Sequence, residues 1–144
     1  MERGGGLTPR SILIVAYRTA ATPRLLEQVR ERASQGPCRF TLLVPRPYWD
    51  PDTEEAALTL ELAIPVLEEA AGGHVEGRIG EVDPLVAVRD AVEREHFDEV
   101  IVSTLPARVS HWLKRDLPSQ VERLGLPVTV VTAKTSTRDL LTPG

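Results

Sequence analysis

The sequence predicts an α/β domain of three layers, in which an open, parallel sheet of five strands is covered by helices on both faces. Short apolar runs alternate five times with segments of helical periodicity, a pattern typical of parallel sheets with right-handed crossovers. The first run, Ser11–Tyr17, is almost uninterruptedly apolar, as expected for a strand buried on both faces. The 144 residues have the length of one ordinary domain.

Local signals place the first helix and the second strand. Thr22 is a typical N-cap residue and Pro23 follows it at the first helical position, while Gly36 and the proline after it are expected to end the helix. Residues 40–44 are rich in apolar and β-branched side chains, so we predict the second strand there.

The middle of the chain is predicted to contain a loop, a long helix and the third strand. Three prolines within residues 45–52 indicate the loop. The helix is predicted over residues 53–71, and Pro65 is expected to kink it, because a proline removes one backbone hydrogen bond and crowds the preceding turn. Residues 74–79 have alternating character, which predicts the third strand.

The last part of the chain is predicted to add two strands and three helices. Asp83 and the proline after it begin one helix. The fourth strand is predicted at residues 98–104 and the fifth at residues 127–132, and shorter helices are predicted at residues 106–115 and 117–124 between them.

Composition and charge narrow the classes of function. The net charge of −4 disfavours a general nucleic-acid binder. No apolar run approaches the roughly 20 residues that cross a bilayer, and the first residues lack the apolar stretch of a signal peptide. We therefore expect a cytoplasmic protein with no membrane partner. Residues 1–10 and 135–144 are expected to be flexible tails around one domain at residues 11–134.

The residues that carry most enzyme and metal chemistry form no recognisable motif. A single cysteine, Cys38, excludes an internal disulfide framework and a cysteine-rich zinc site. The three histidines lack the spacing of metal ligands, so no metal site is predicted. Ser103 lies at the end of the predicted fourth strand, where some nucleophiles stand, but no Gly-x-Ser-x-Gly turn surrounds it. No catalytic residues are predicted.

Three segments carry a resemblance to a known family. Residues 79–84 (Ile-Gly-Glu-Val-Asp-Pro), residues 97–103 (Phe-Asp-Glu-Val-Ile-Val-Ser) and residues 126–131 (Leu-Pro-Val-Thr-Val-Val) resemble, in this order and spacing, segments of the universal stress proteins. The resemblance covers residues 11–133. It implies a Rossmann-like sheet, related to the adenine nucleotide alpha hydrolases, with the strand order 3-2-1-4-5.

The resemblance also implies a homodimer and poses the question of nucleotide binding. Family members pair through their last strands, which here would use Val128, Thr129, Val130 and Val131, and an open apolar edge strand favours such pairing. Some members bind ATP and others do not. No cofactor is predicted for this chain, and ATP or AMP is a disfavoured ligand for the following reason.

The phosphate-binding motif of the family has lost its glycines in this sequence. ATP-binding members carry Gly-x2-Gly-x9-Gly-Ser/Thr after the fourth strand, where the glycines let the backbone approach the phosphates. The same spacing falls here on Ser103, Pro106, Asp116 and Leu117. Pro106 has no amide hydrogen, and Asp116 would place a negative charge against phosphate. We therefore expect that this chain lacks the family's usual phosphate-binding loop for ATP.

Candidate ligand-binding residues follow the strands, because ligands of such sheets bind beyond the carboxyl ends of the strands. Arg108, His111 and Arg115 have the spacing of one helix face and, with Arg18 and Arg46, could attract an anionic ligand. A solvated helix with salt bridges is the alternative. The full set of candidates is Tyr17, Arg18, Thr19, Val44, Arg46, Gly80, Ser103, Thr104, Arg108, His111 and Arg115.

Two further segments leave alternatives open. The hydroxyl-rich turn at residues 19–22 could hold a phosphate, or Thr22 could simply cap the first helix. Tyr48 and Trp49 could stack on a flat ligand, or they could pin the proline-rich loop to the domain.

These observations favour one hypothesis and leave two others. The first is a non-enzymatic, homodimeric binding or interaction module of the universal stress protein type, which takes a small anionic ligand or a partner protein. The alternative is a nucleotide-binding or nucleotide-hydrolysing protein of the same superfamily that uses arginines in place of the glycine-rich loop. A receiver or flavodoxin-like domain is the third, although Tyr17 and Gly80 stand where a receiver needs aspartates.

Overall fold

The computed structural model of the chain describes residues 8–47, 53–106 and 110–133. The strands within these ranges are β1 (Arg10–Val15), β2 (Cys38–Pro45), β3 (Val75–Gly80), β4 (Glu99–Thr104) and β5 (Val128–Thr132). The helices within them are α1 (Pro23–Gln35), α2 (Glu54–Ala71), α3 (Pro84–Arg94), α4 (His111–Lys114) and α5 (Leu117–Glu122).

All five strands form one parallel sheet in the order β3-β2-β1-β4-β5, so the predicted order 3-2-1-4-5 is confirmed. The central strand β1 pairs with β2 on one side and with β4 on the other. The strand order therefore reverses between β1 and β4. In open parallel sheets this point of reversal leaves a crevice beyond the carboxyl ends of the two strands.

Each face of the sheet has its own apolar core, because alternate side chains of the buried strands point to opposite faces. On one face, Ile12, Ile14 and Leu42 pack with Leu25 and Val29 of α1 and with Ala63 and Leu67 of α2. On the other face, Leu13, Val15 and Val102 pack with Ala87 and Val88 of α3 and with Leu117 and Val121 of α5. The predicted three-layer architecture is confirmed.

The first strand begins earlier than the sequence predicts. Arg10, which was placed in the flexible tail, is the first residue of β1 and pairs with Cys38 of β2. Its guanidinium Nε also donates a hydrogen bond to Glu99 Oε1 over 3.2 Å. The ordered chain therefore includes Arg10, and the predicted tail at residues 135–144 lies outside the described residues.

Two local predictions about helices are wrong. Within the described part of the helix predicted at residues 106–115, the helix begins only at His111 and ends at Lys114, because Ser110 caps it: its Oγ accepts a hydrogen bond from the Leu113 amide over 3.1 Å. The Thr22 side chain does not cap α1. It donates instead to the backbone carbonyl of Thr19 over 3.3 Å, and Pro23 already fills the first helical position.

The carboxylate of Asp98 joins the beginning of β4 to β1. It accepts a hydrogen bond from the Ser11 amide over 2.7 Å, and its second oxygen lies 2.9 Å from Nε2 of His96. The Ser11 amide first, and then the His96 ring, hold the pKa of Asp98 below its usual value.

Asp98→Asn is expected to destabilise the protein at neutral pH and to remove part of its acid sensitivity. The pKa of Asp98 is lower in the folded than in the unfolded chain, so its contribution is present above the unfolded-state pKa and is lost as the pH falls through the folded-state pKa. Urea unfolding of the wild type and the variant at pH 7 and at pH 2.5 measures this. The difference in the free energy of unfolding between wild type and variant should be smaller at the lower pH, and an equal difference at both pH values would contradict the assignment.

Candidate ligand-binding site

A pocket of about 560 Å³ lies at the carboxyl edge of the sheet, where the strand order reverses. Its walls come from four places: the turn after β1, the end of β4 with the residues that follow it, the segment after β2, and the beginning of α3. The α4 segment covers it from the side, through His111, Trp112 and Arg115. A volume of this size is in the range that small-molecule sites occupy.

Most of the residues predicted from the sequence are brought together around this pocket. Those that line it are Tyr17, Arg18, Thr19, Arg46, Ser103, Thr104, His111 and Arg115. Val44 does not line it, because its side chain points into the core and is fully buried. Gly80 does not line it either, because it packs against Ala87 of α3. Arg108 lies outside the described residues.

The hydroxyl groups at the floor of the pocket form hydrogen bonds with one another and with a backbone carbonyl. Ser103 Oγ lies 3.0 Å from the carbonyl oxygen of Thr19 and 2.9 Å from Thr19 Oγ1. Thr104 Oγ1 shares a hydrogen bond with Ser110 Oγ. All four side chains are buried. These hydroxyls therefore fix the turn after β1 and the beginning of α4, and the prediction that Thr19, Ser103 and Thr104 contact a ligand stays a prediction.

The rim of the pocket is more positive than negative. Arg18 lies over the Tyr17 ring, 5.4 Å from its centroid, and the Tyr17 hydroxyl bonds to Glu55 of α2. Arg46 Nη2 lies 2.8 Å from Glu81 Oε2. Arg18 and Arg115 are exposed, and neither forms an ion pair with another described residue. Two guanidinium groups are thus available to an anion.

The apolar wall of the pocket contains residues that the sequence analysis did not select. Trp112 of α4 packs against the core and also lines the pocket, beside Leu105, Val82 and the two prolines at and after the end of β2, Pro45 and Pro47. In the helix predicted at residues 106–115, Trp112 would lie on the face away from His111 and Arg115. In the structure α4 has only four residues, and Trp112 lines the same pocket as His111 and Arg115. The predicted aromatic pair, Tyr48 and Trp49, lies outside the described residues.

In the segment that matches the glycine-rich motif of ATP-binding universal stress proteins, one residue has a backbone conformation typical of glycine. Asp116 precedes α5 with φ of 56° and ψ of 43°, in the left-handed region that glycine adopts most easily. Its side chain is exposed and makes no capping hydrogen bond to α5. Pro106 offers no amide hydrogen, and its carbonyl accepts a hydrogen bond from the Ser110 amide over 2.9 Å. This segment presents a carboxylate where a phosphate-binding loop presents bare backbone.

Outside the pocket, the chemistry-bearing side chains are scattered. Across residues 8–47, 53–106 and 110–133, no three His, Cys, Asp or Glu side chains come close enough together to hold a metal ion. Burial raises the pKa of the Cys38 thiol, which keeps it protonated and unreactive at neutral pH. Among the helices of the described ranges, none combines the length and apolar character that a bilayer crossing requires.

The sheet order and the pocket at the point of reversal define a Rossmann-like α/β domain, with a crevice at the position where sheets of this kind bind ligands. Universal stress proteins are among the solved structures that resemble this chain. One from Archaeoglobus fulgidus is 15% identical over 88% of this chain and 96% of its own, with a TM-score of 0.62. No protein-family profile and no curated protein matches the sequence.

Two of the similar structures contain a nucleotide. The universal stress protein from Archaeoglobus fulgidus in complex with dAMP is 15% identical, with a TM-score of 0.61 over 87% of this chain and 98% of its own. A universal stress protein in complex with cAMP is also 15% identical, with a TM-score of 0.60 over 89% of this chain and all of its own. The resemblance seen in the sequence is therefore confirmed at the level of the fold.

Proposed function

We propose that this chain is a non-enzymatic, homodimeric binding module of the universal stress protein type, and that its pocket takes a small anionic ligand of the nucleoside monophosphate class. The observation that carries the proposal is the pairing of exposed Arg18 and Arg115 with the Trp112 ring around one pocket. Guanidinium groups bind phosphate oxygens in a forked geometry, and a flat aromatic ring is a surface on which a base can stack.

A monophosphate fits this site better than ATP does, so the proposal departs for AMP, but not for ATP, from the expectation that disfavoured both nucleotides. The triphosphate of ATP needs a run of backbone amides, whereas Pro106 has none to give and Asp116 adds a negative charge nearby. Two guanidinium groups match the charge of a single phosphate. The presence of dAMP and cAMP in two structures of the same fold supports this class of ligand.

The proposed dimer uses β5, where Val128, Thr129, Val130 and Val131 lie at the edge of the sheet. In the described part of the chain β5 pairs with β4 alone, and Val130 is 41% exposed. A groove of about 890 Å³ runs between this strand and the beginning of α1. An open strand with exposed apolar side chains favours pairing with a second strand, and a second copy of the chain supplies one.

Arg115→Gln is expected to weaken the binding of AMP at least tenfold, because one charge-assisted hydrogen bond contributes roughly 1.5–3 kcal/mol. Isothermal titration calorimetry of the full chain with AMP, cAMP and magnesium ATP measures this, with Arg18→Gln as a second variant expected to act in the same direction. Arg89→Gln is the matched control, since it removes the same charge from an exposed position of α3 outside the pocket. It should leave the affinity for AMP unchanged.

The same preparation tests the remaining parts of the proposal. Native mass spectrometry is expected to show a dimer that takes up AMP. If Arg89→Gln and Arg115→Gln lost equal affinity for AMP, the loss would reflect the net charge of the protein alone and would contradict the assigned site. Release of phosphate from magnesium ATP would contradict the non-enzymatic part and favour a nucleotide-hydrolysing protein of this fold.

A further inference from the structure

The outer face of α2 carries an apolar stripe that the fold does not use. Leu58, Leu62 and Val66 are spaced by four residues, so they lie in a row along about 12 Å of the helix. Their exposed fractions are 53%, 66% and 40%. The opposite face of the same helix already supplies the core, through Ala63 and Leu67 among others. The side chains of the stripe are therefore not part of the apolar core.

The charges that α2 itself places beside this stripe all have one sign. Glu54 lies one turn before Leu58, Glu61 lies between Leu58 and Leu62 on one flank, and Glu69 lies nearly one turn after Val66. All three carboxylates are exposed, and none forms an ion pair or side-chain hydrogen bond with another described residue. From Glu54 to Ala71 the helix contains no Lys or Arg at all. The face is thus apolar along its centre and acidic at its border.

This charge pattern limits what can cover the face. Two copies of α2 packed against each other would bring their glutamates together without any cation, which is unfavourable at short range. An anionic lipid surface would be repelled for the same reason. A helix with apolar residues at the spacing of four and basic residues beside them would bury the stripe and pair with the carboxylates.

We propose that the α2 stripe, Leu58, Leu62 and Val66 with the bordering Glu54, Glu61 and Glu69, docks a basic amphipathic helix of a partner protein. The surface lies on the layer formed by α1 and α2, and none of its residues lines the ligand pocket. The proposal therefore stands independently of the proposed ligand. It assigns the protein a second, separate binding surface.

A designed peptide tests the docking surface without knowledge of the natural partner. The probe is a fluorescent helical peptide of about 18 residues, with leucines spaced by three and four residues and lysines beside them, titrated with the full chain and followed by fluorescence anisotropy. We expect micromolar binding that weakens with salt. Leu62→Gln, which leaves the net charge unchanged, should weaken it at least tenfold, about the contribution of one buried leucine.

Matched variants separate docking from general attraction to an acidic protein. Glu61→Gln on α2 and Glu93→Gln on α3 change the net charge equally, and both side chains are exposed. Only Glu61→Gln should weaken binding of the peptide. Equal effects of the two, or unchanged binding by Leu62→Gln with a wild-type circular dichroism spectrum, would overturn the proposal. Sedimentation in which Leu62→Gln abolishes self-association would overturn it too, because the stripe would then be covered by a second copy.

Discussion

Glu99→Gln is expected to lower the free energy of unfolding by about 3 kcal/mol, because it breaks a buried ion pair from one side. Glu99 begins β4 and is only 5% exposed. Its Oε1 accepts hydrogen bonds from Nε of Arg32 over 3.0 Å and from Nε of Arg10 over 3.2 Å. Glutamine keeps the shape of the side chain but loses the charge, and its amide group would turn a donor towards guanidinium donors.

The loss would extend beyond one ion pair, since Arg32 connects several elements. It also donates to Gln28 Oε1 over 2.9 Å and to Thr129 Oγ1 over 3.2 Å, so the Glu99 carboxylate holds the guanidinium that joins α1 to β5. Only about 15% of the Arg32 side chain is exposed. Without its carboxylate, this cation would remain largely buried and uncompensated, which is the costly outcome.

Urea unfolding followed by circular dichroism at pH 7 measures the effect of Glu99→Gln, at one protein concentration because the proposed dimer would couple stability to mass action. Glu95→Gln is the control: Glu95 pairs with Arg78 at the surface, where about 41% of its side chain is exposed. Surface pairs of this kind contribute roughly 0–1 kcal/mol. If the two variants lost equal stability, the buried network would not have the role argued for it.

Gly80→Ala is expected to destabilise the protein by about 2 kcal/mol through overpacking. A Cβ atom at this position would lie 2.6 Å from Cβ of Ala87 and 3.0 Å from Cδ1 of Leu43. The Ala87 Cβ is anchored directly on the α3 backbone, so α3 itself would have to move away from the end of β3. The glycine thus permits close packing of a helix on the sheet.

This experiment also decides between two interpretations of Gly80. The sequence suggested a ligand contact, whereas the structure places the residue against α3. Gly73→Ala makes the same chemical change where a Cβ would meet no atom within 4 Å, so its unfolding midpoint should stay near that of the wild type. A Gly80→Ala protein of wild-type stability that had lost its affinity for AMP would restore the ligand interpretation and contradict the packing role.

The sequence by itself determined the number, kind and order of the main elements, because each depends on signals within a few residues. Apolar runs, continuous or alternating with polar residues, predict the strands, and Pro23 and Pro84, each after a residue type typical of the N-cap, predict the beginnings of α1 and α3. The order of the strands in the sheet is not a local property. It came from the resemblance to a family, and the structure confirms it.

Only the tertiary structure decided which side chains meet. The sequence predicts Glu99 only as part of a strand. Its hydrogen-bond partners Arg32 and Arg10 are 67 and 89 residues away along the chain. Trp112 reaches the pocket because Ser110 restricts α4 to a single turn. Such contacts depend on how elements distant in sequence pack together, and the packing of each is set by the shape and charge of all the others. Hydrophobic periodicity and helix-capping signals are local, so they do not predict these long-range contacts.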